Sequence, residues 1–311
     1  MIDIVLATFN GDEYLQAQVR SIQLNKNYVQ LIERFIIIDD GSTDKTLHLL
    51  TKLAKRDSKI EIHHNHKSKR GVIGNFNAGL QLTTADYVML SDQDDIWLKD
   101  KIQESVDEVN RIQVTTKKPI VVFTDKKIVD NNLNTLHESD YDISLLAKDW
   151  HHNIEQLLQR NVVSGCTMLM NRALLDIALP IPEKAFMHDW WLALMACHYG
   201  KIALVDKPHM LYRQHESNVV GARKKAKLPL LKNAKLNYKV FADNFEKTMQ
   251  QALTFEQRTQ QKFKFTKLYQ LGVIEILTSI FVSNMTGSGL LRKCALAYFL
   301  LKKDKASFKT K

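Results

Sequence analysis

The chain has 311 residues, enough for one large domain or two smaller ones. Hydrophobic residues make up 45% and charged residues 25%, with 11 Gly and 5 Pro, which excludes wholesale disorder, a collagen, a coiled-coil rod and a turn-rich β-sandwich. The net charge of +10 is unevenly placed: residues 221–311 hold 19 Lys+Arg and 5 Asp+Glu, a net of +14, so residues 1–220 carry a net of −4.

In chain order, Ile2–Ala7 reads as a strand, Glu13–Leu24 as a helix and Arg34–Ile38 as a second strand ending at Asp39-Asp40-Gly41-Ser42. Ser42 or Thr43 is a candidate cap for a helix over Asp44–Arg56. Lys59–His63 reads as a strand, Ile73–Leu82 as a helix, Tyr87–Leu90 as a strand, Trp97–Asn110 as a helix and Pro119–Phe123 as a strand. Continuous apolar strands alternating with helices predict a buried, mostly parallel sheet. Val162–Met170 reads as a strand with a Ser164-Gly165 kink, and Met187–His198 as a helix. From Gly221 onward the pattern is helical and basic, so the expected division is a domain over 1–220 and an extension over 221–311. Arg223-Lys224-Lys225 reads as a basic linker, Pro229 as a helix start, and Gly272 and Gly287 as helix ends.

The three cysteines, Cys166, Cys197 and Cys294, form no C-x-x-C pair, so a reducing compartment fits. The start MIDIVLATFN lacks a basic n-region. Ile276–Leu291 is the nearest approach to a spanning segment, but its polar residues make it a poor one. The expectation is a cytoplasmic protein. His63, His64 and His66 read as a strand end and loop rather than a zinc site.

Ligands of parallel sheets gather at the carboxyl ends of the strands. Three predicted strands end in polar loops: Thr8-Phe9-Asn10, Asp39-Asp40 and Asp92-Gln93-Asp94-Asp95. Three carboxylates within four residues repel one another and are best tolerated beside a hard cation, Mg²⁺ or Mn²⁺. The competing reading is a polar turn ahead of the next helix. Asp39-Asp40 reads either as an acceptor for a base or ribose or as an ordinary strand-to-helix turn. Glycine-rich dinucleotide and P-loop motifs are absent.

Seven segments together resemble one family. They are VLATFNG (Val5–Gly11), IIDDGSTD (Ile37–Asp44), the Gly71…Asn75 stretch, LSDQDDIW (Leu90–Trp97), SGCTMLMNR (Ser164–Arg172), MHDWWLAL (Met187–Leu194) and YRQHESNVVGA (Tyr212–Ala222). In this order they resemble the inverting glycosyltransferases of family two, which have the GT-A fold. The last three, with the DQDD-x-W form, are similar to its rhamnosyltransferase-like branch.

The resemblance implies roles. Thr8, Phe9 and Asn10 would line the nucleotide pocket, Asp39 would bind the base with Asp40 nearby, and Arg70 would approach the nucleotide. Asp92 and Asp94 would contact ribose and a Mg²⁺ or Mn²⁺ ion, Asp94 foremost, with Asp95 in support and His215 at the metal or diphosphate. Asp189 would be the general base, and His188 stands where the family usually has Glu. Gly165 and Cys166 would lie on the acceptor side, Gly165 letting backbone approach and Cys166 as a small buried residue. Of Trp190 and Trp191, one would pack in the core and the other would stack on a sugar.

The implied chemistry is a single displacement. A divalent ion stabilises the leaving diphosphate, and a carboxylate takes the proton of the acceptor hydroxyl. Inversion requires no second nucleophilic carboxylate. The implied donor is a nucleotide sugar, dTDP-L-rhamnose first and a UDP-hexose second. The implied acceptor is a saccharide or a lipid-linked saccharide in surface polysaccharide synthesis. Leu290–Leu301 followed by Lys302-Lys303 reads as an interfacial helix for an anionic inner-leaflet surface, or as a helix packed on the body. The rivals are a non-catalytic sugar-nucleotide-binding module and a nucleic-acid-binding protein. Pure binding needs no base such as Asp189, and the usual stacking-aromatic motifs are missing, so no nucleic-acid partner is expected.

Overall fold

The computed structural model describes residues 1–65, 70–144, 147–215 and 234–267, with side chains in the last stretch from residue 240. His66, the 223–225 cluster, Pro229, Gly272, the 276–291 segment, Gly287, the 290–301 helix and Cys294 lie outside the described residues.

The elements run β1 (Ile2–Thr8), α1 (Leu15–Gln23), α2 (Tyr28–Leu31), β2 (Ile32–Asp39), α3 (Thr46–Ala54), β3 (Ile60–His64), α4 (Val72–Leu80) and β4 (Tyr87–Ser91). There follow β5 (Ile96–Trp97), α5 (Lys101–Gln113), β6 (Ile120–Val129), β7 (Thr135–His137) and α6 (Asp140–Ser144). Then come α7 (Ile154–Leu157), β8 (Met168–Asn171), α8 (Arg172–Ala178), α9 (His188–Tyr199), β9 (Lys201–Arg213), α10 (Ala234–Thr259) and α11 (Lys264–Lys267).

The chain divides into two compact units. The first is Met1–Lys148, Val163–Ile181 and Met187–Lys224; the second is Asp149–Val162, Pro182–Phe186 and Lys225 onward. Two stretches inside residues 1–220 thus group with the later helices. In the second unit, Gln251 accepts from the Phe186 N–H and Glu155 accepts from the Lys264 and Phe265 N–H groups. Those bonds tie the early stretches to α10 and α11.

The first unit holds one nine-stranded sheet, in the order β3-β2-β1-β4-β8-β6-β9-β5, with β7 on β6. β1 pairs in parallel with β2 and β4, and β2 with β3. The centres of β1, β2 and β4 are apolar because both faces are covered; Ile4, Val5, Leu6, Ile36 and Ile37 are fully buried. Each such side chain contributes about 1.5–3 kcal/mol on burial.

The second half departs from a parallel sheet. β8 runs antiparallel to both β4 and β6, while β6 and β9 are parallel. The strand expected over Val162–Met170 is short, beginning at Met168 after a single 3₁₀ turn, Gly165–Thr167. Trp97 lies on β5 and the following helix starts at Lys101. Ser42 and Thr43 do not cap α3. Ser42 Oγ is held by Asp39 and by the Asn10 N–H, and the Thr43 N–H donates to Asn10, so both serve the turn instead.

One consequence positions the site. β1, β2, β4, β6 and β9 all end at the same sheet edge, and antiparallel β8 begins there, with Met89 opposite Leu169 and Phe123 opposite Met168.

Candidate active site

The end of β1 and the acidic loop after β4 are clipped together by Gln93. Its Oε1 accepts from Thr8 Oγ1 (2.6 Å) and the Phe9 N–H (2.9 Å), and its Nε2 donates to the Phe9 carbonyl (3.1 Å). Thr8 is buried, whereas Phe9 is 52% exposed. Asn10 takes a positive φ of 47° and turns the chain away.

Asp39 lies beside Thr8 in the β1–β2 register and is fully buried. Its Oδ2 accepts from the Gly41 and Ser42 N–H groups (3.0 and 2.9 Å), and Oδ1 accepts from Ser42 Oγ. Asp40 accepts from Asn65 Nδ2 (2.9 Å) and the Gly71 N–H (2.6 Å). Both carboxylates therefore hold this loop in shape. Gly41 adopts φ +89°, a region costly for L side chains, and the Arg70 guanidinium packs about 3.5 Å from where a Cβ would sit.

The Asp92–Asp95 loop is the most charged part of the edge. Asp95 is buried; its Oδ1 accepts from the Arg213 N–H (3.1 Å), and Oδ2 has no hydrogen-bond partner among the described residues. Asp94 Oδ2 is 2.9 Å from His215 Nε2. Desolvation, then the charges of Asp94 and Asp189, push the Asp92 carboxyl up to about 7, against Lys126 and a Cys166 hydrogen bond. Burial, then the charges of Asp94 and Asp92, hold Asp95 well above the carboxylate range. Ligand atoms of Asp92, Asp95 and Cys166 lie within 4.8 Å of one another. The carboxylate oxygens of Asp92 and Asp95 suit a hard divalent cation, the Cys166 thiol does not, and Asp94 is paired with the His215 imidazole.

Two buried lysines flank this loop. Lys126 Nζ donates to Ser164 Oγ (2.6 Å) and lies 4.2 Å over the Tyr212 ring. Lys101 Nζ lies 4.8 Å over the Trp97 ring and has no hydrogen-bond partner among the described residues, and burial lowers its pKa to about 8.

Asp189 stands in the first turn of α9. Its Oδ2 accepts from the Gly165 N–H (2.9 Å) and its Oδ1 from the Trp190 N–H (2.6 Å). His188 stacks on Phe76 (4.0 Å between centroids), and neither ring nitrogen has a partner among the described residues. Burial lowers its pKa, opposed by Asp189. A Cβ on Gly165 would come 2.7 Å from His188 Nε2, so a glycine is required there.

A family model for glycosyl transferase family 2 matches residues 3–176. The chain belongs to glycosyl transferase family 2. The chain is 30% identical over 229 residues to a dTDP-rhamnosyl transferase, RfbG, of Shigella flexneri, covering 70% of this chain and 74% of that one. It is also 30% identical over 109 residues to a Campylobacter jejuni GalNAc(5)-diNAcBac-PP-undecaprenol beta-1,3-glucosyltransferase, covering 35% of this chain and 34% of that one. Among solved structures, Staphylococcus aureus TarS 1–349 with UDP-GlcNAc matches with a TM-score of 0.54 at 16% identity, covering 90% of this chain and 78% of that one. The mannosyltransferase PcManGT of Pyrobaculum calidifontis, with GDP-Man and Mn²⁺, matches with a TM-score of 0.56 at 13% identity, covering 96% and 78%. The fold is thus GT-A-like, and this family 2 member is a glycosyltransferase using a nucleotide-sugar donor.

In this glycosyltransferase, Thr8, Phe9, Asn10, Asp39, Asp40, Asp92, Asp94, Asp189, Gly165, Cys166 and His188 belong to elements that meet at one sheet edge. The tryptophans differ from expectation. Trp190 and Trp191 are 6% and 0% exposed, and Trp191 Nε1 donates to the Ala178 carbonyl. Because α9 is buried on every face from His188 to Ala196, neither indole is presented as an open stacking platform. Sequence reasoning also passed over Gln93, Tyr14, Lys126 and Arg213. Tyr14 stacks on His215 (4.9 Å), and Arg213 Nε donates to the Asp94 carbonyl (2.9 Å). Gln93 lies within LSDQDDIW and Arg213 within YRQHESNVVGA, whereas Lys126 belongs to none of the seven segments.

Proposed function

We propose that this glycosyltransferase moves L-rhamnose from dTDP-L-rhamnose, with inversion, onto a saccharide or lipid-linked acceptor in surface polysaccharide synthesis. The observation that carries the mechanism is Asp189. Its carboxylate is fixed by the Gly165 N–H and lies close enough to the acidic loop to raise Asp92. A base and a cation-binding loop facing one space suit in-line displacement. The similarity to the Shigella dTDP-rhamnosyl transferase supports the sugar and the base.

Thr8, Phe9 and Asn10, with the loop built by Asp39 and Asp40 and with Arg70, receive the nucleotide. Asp94, Asp92 and His215 hold Mg²⁺ or Mn²⁺, which when bound offsets negative charge on the diphosphate. Asp189 takes the proton of the acceptor hydroxyl as its oxygen attacks the anomeric carbon and the nucleoside diphosphate leaves. Gly165, with the buried Cys166 and His188 beside it, backs the acceptor side, and the His188 ring fills the space over Gly165. Trp190 and Trp191 hold α9 in place from the core. The basic segment over 221–311 draws the protein to an anionic inner-leaflet surface.

The test is a panel of dTDP-L-rhamnose, UDP-glucose, UDP-galactose, UDP-N-acetylglucosamine and GDP-mannose, scored by thermal stabilisation and donor hydrolysis with and without Mn²⁺. Stabilisation by dTDP-L-rhamnose above the others is expected. Asp189→Asn should keep nucleotide binding and lose turnover by about 10²- to 10⁴-fold, the range of general-base contributions. Full turnover in that variant would sink the mechanism.

A further inference from the structure

We infer that Lys126 is a positioning residue for the transfer step, acting through Ser164 and Gly165 on Asp189. The inference rests on the reading of Asp189 as the base.

Lys126 lies on β6, three residues beyond the Phe123–Met168 pairing, where the strand runs on past the start of β8. Its side chain is 10% exposed. A buried ammonium is costly unless its protons are satisfied. A leucine or methionine would fill this space without that cost. The charge instead makes three directed contacts: Ser164 Oγ at 2.6 Å, Asp140 Oδ2 at 3.6 Å and the face of Tyr212 at 4.2 Å. The Asp140 partner is 40% exposed and weakly held. The short contact is to Ser164.

Ser164 is fixed at both ends. Its Oγ receives Lys126, and its carbonyl accepts from the Thr167 N–H (3.0 Å) and Thr167 Oγ1 (2.6 Å). The next peptide N–H is that of Gly165, which donates to Asp189 Oδ2. Gly165 has no side chain of its own to lock this turn, and His188 closes the space where one would stand. The orientation of the N–H that aims the carboxylate therefore depends on the Ser164 anchor. Lys126 itself is held by β6, where the Asp125 carboxylate accepts from the Lys126 N–H (2.8 Å) and from Ser139 Oγ (2.5 Å). The path runs from a sheet strand to the base through two hydrogen bonds and one peptide unit.

The test compares Ser164→Ala, Lys126→Met and Lys126→Arg, with Asp189→Asn alone and combined with Ser164→Ala. The readout is metal-dependent hydrolysis of the panel donor that the wild-type chain hydrolyses fastest, with water as acceptor. Ser164→Ala keeps both lysine charges, so it separates positioning from electrostatics on the acidic loop. The expected result is a kcat lowered by about 10- to 100-fold for Ser164→Ala and Lys126→Met, the cost of misplacing a reacting group by about 1 Å. Donor KM and melting temperature should be unchanged for Ser164→Ala, and Lys126→Arg should recover part of kcat. Ser164→Ala should add no further loss in the Asp189→Asn background, because the two act as one unit. A loss that multiplies in the double variant, or a Ser164→Ala enzyme with wild-type kcat, overturns the inference. Wild-type turnover by Asp189→Asn overturns instead the reading of the base.

Discussion

At the residue scale, Asp92 carries the sharpest electrostatic conflict of the site. Desolvation and two acidic neighbours raise it to about 7, far above the 3.8 of a free side chain. Between about pH 4 and about pH 7 the unfolded chain has lost this proton and the native chain keeps it, so stability attributable to Asp92 falls as pH rises. A cation that binds the carboxylate must displace the proton. The affinity for Mn²⁺ with dTDP is therefore expected to rise from pH 6 to pH 8, with proton release on binding below about pH 7. Calorimetry in buffers of different ionisation enthalpy measures the released protons directly. Binding that is flat with pH and releases no proton would remove Asp92 from the metal shell.

Residue types were a good guide to which side chains meet at this edge, because each acidic loop directly follows an apolar strand. Partners were not legible. Asp39 spends its oxygens on its own turn, Gln93 clips two loops together, and Trp190 and Trp191 are buried. These outcomes depend on neighbours distant in the chain, which periodicity does not encode.

At the element scale, the first half of the sheet followed from apolar runs alone, since strands covered on both faces leave an unbroken signal. The second half did not. β9 spans Lys201–Arg213 across Pro208 and several exposed residues, and β8 has four residues. Asp3 illustrates a polar residue inside a legible strand. It is fully buried, paired with Arg34 at 2.5 Å, and accepts from the Thr84 and Ala85 N–H groups. Replacing it by alanine would strand Arg34 and two backbone donors. Asp3→Ala is expected to destabilise the fold by about 3 kcal/mol, the scale for breaking a buried pair, as read by urea denaturation. A loss under about 0.5 kcal/mol would place the pair among ordinary surface contacts.

At the scale of the whole molecule, charge is segregated along the chain: residues 221–311 carry a net of +14 and the rest a net of −4. Among the described residues no helix is long and apolar enough to cross a membrane. An attraction carried by this segment would be electrostatic and screened by salt. Flotation with vesicles containing phosphatidylglycerol should show binding at low ionic strength that falls steeply toward 0.5 M NaCl, while neutral vesicles bind little. Equal binding to both would remove the basic segment as the cause.

The sequence by itself determined the family, the parallel first half of the sheet and the acidic loop, because strand-end motifs are local and keep their spacing. The tertiary structure decided which groups face one another. Antiparallel β8 brings Gly165 to Asp189, β6 carries Lys126 to Ser164, and β9 returns Arg213 and His215 to Asp94 and Asp95. Those contacts join residues that are from 24 to 121 positions apart. Strand order and direction set such pairings, and each strand must bury its faces against partners that its own residues do not specify.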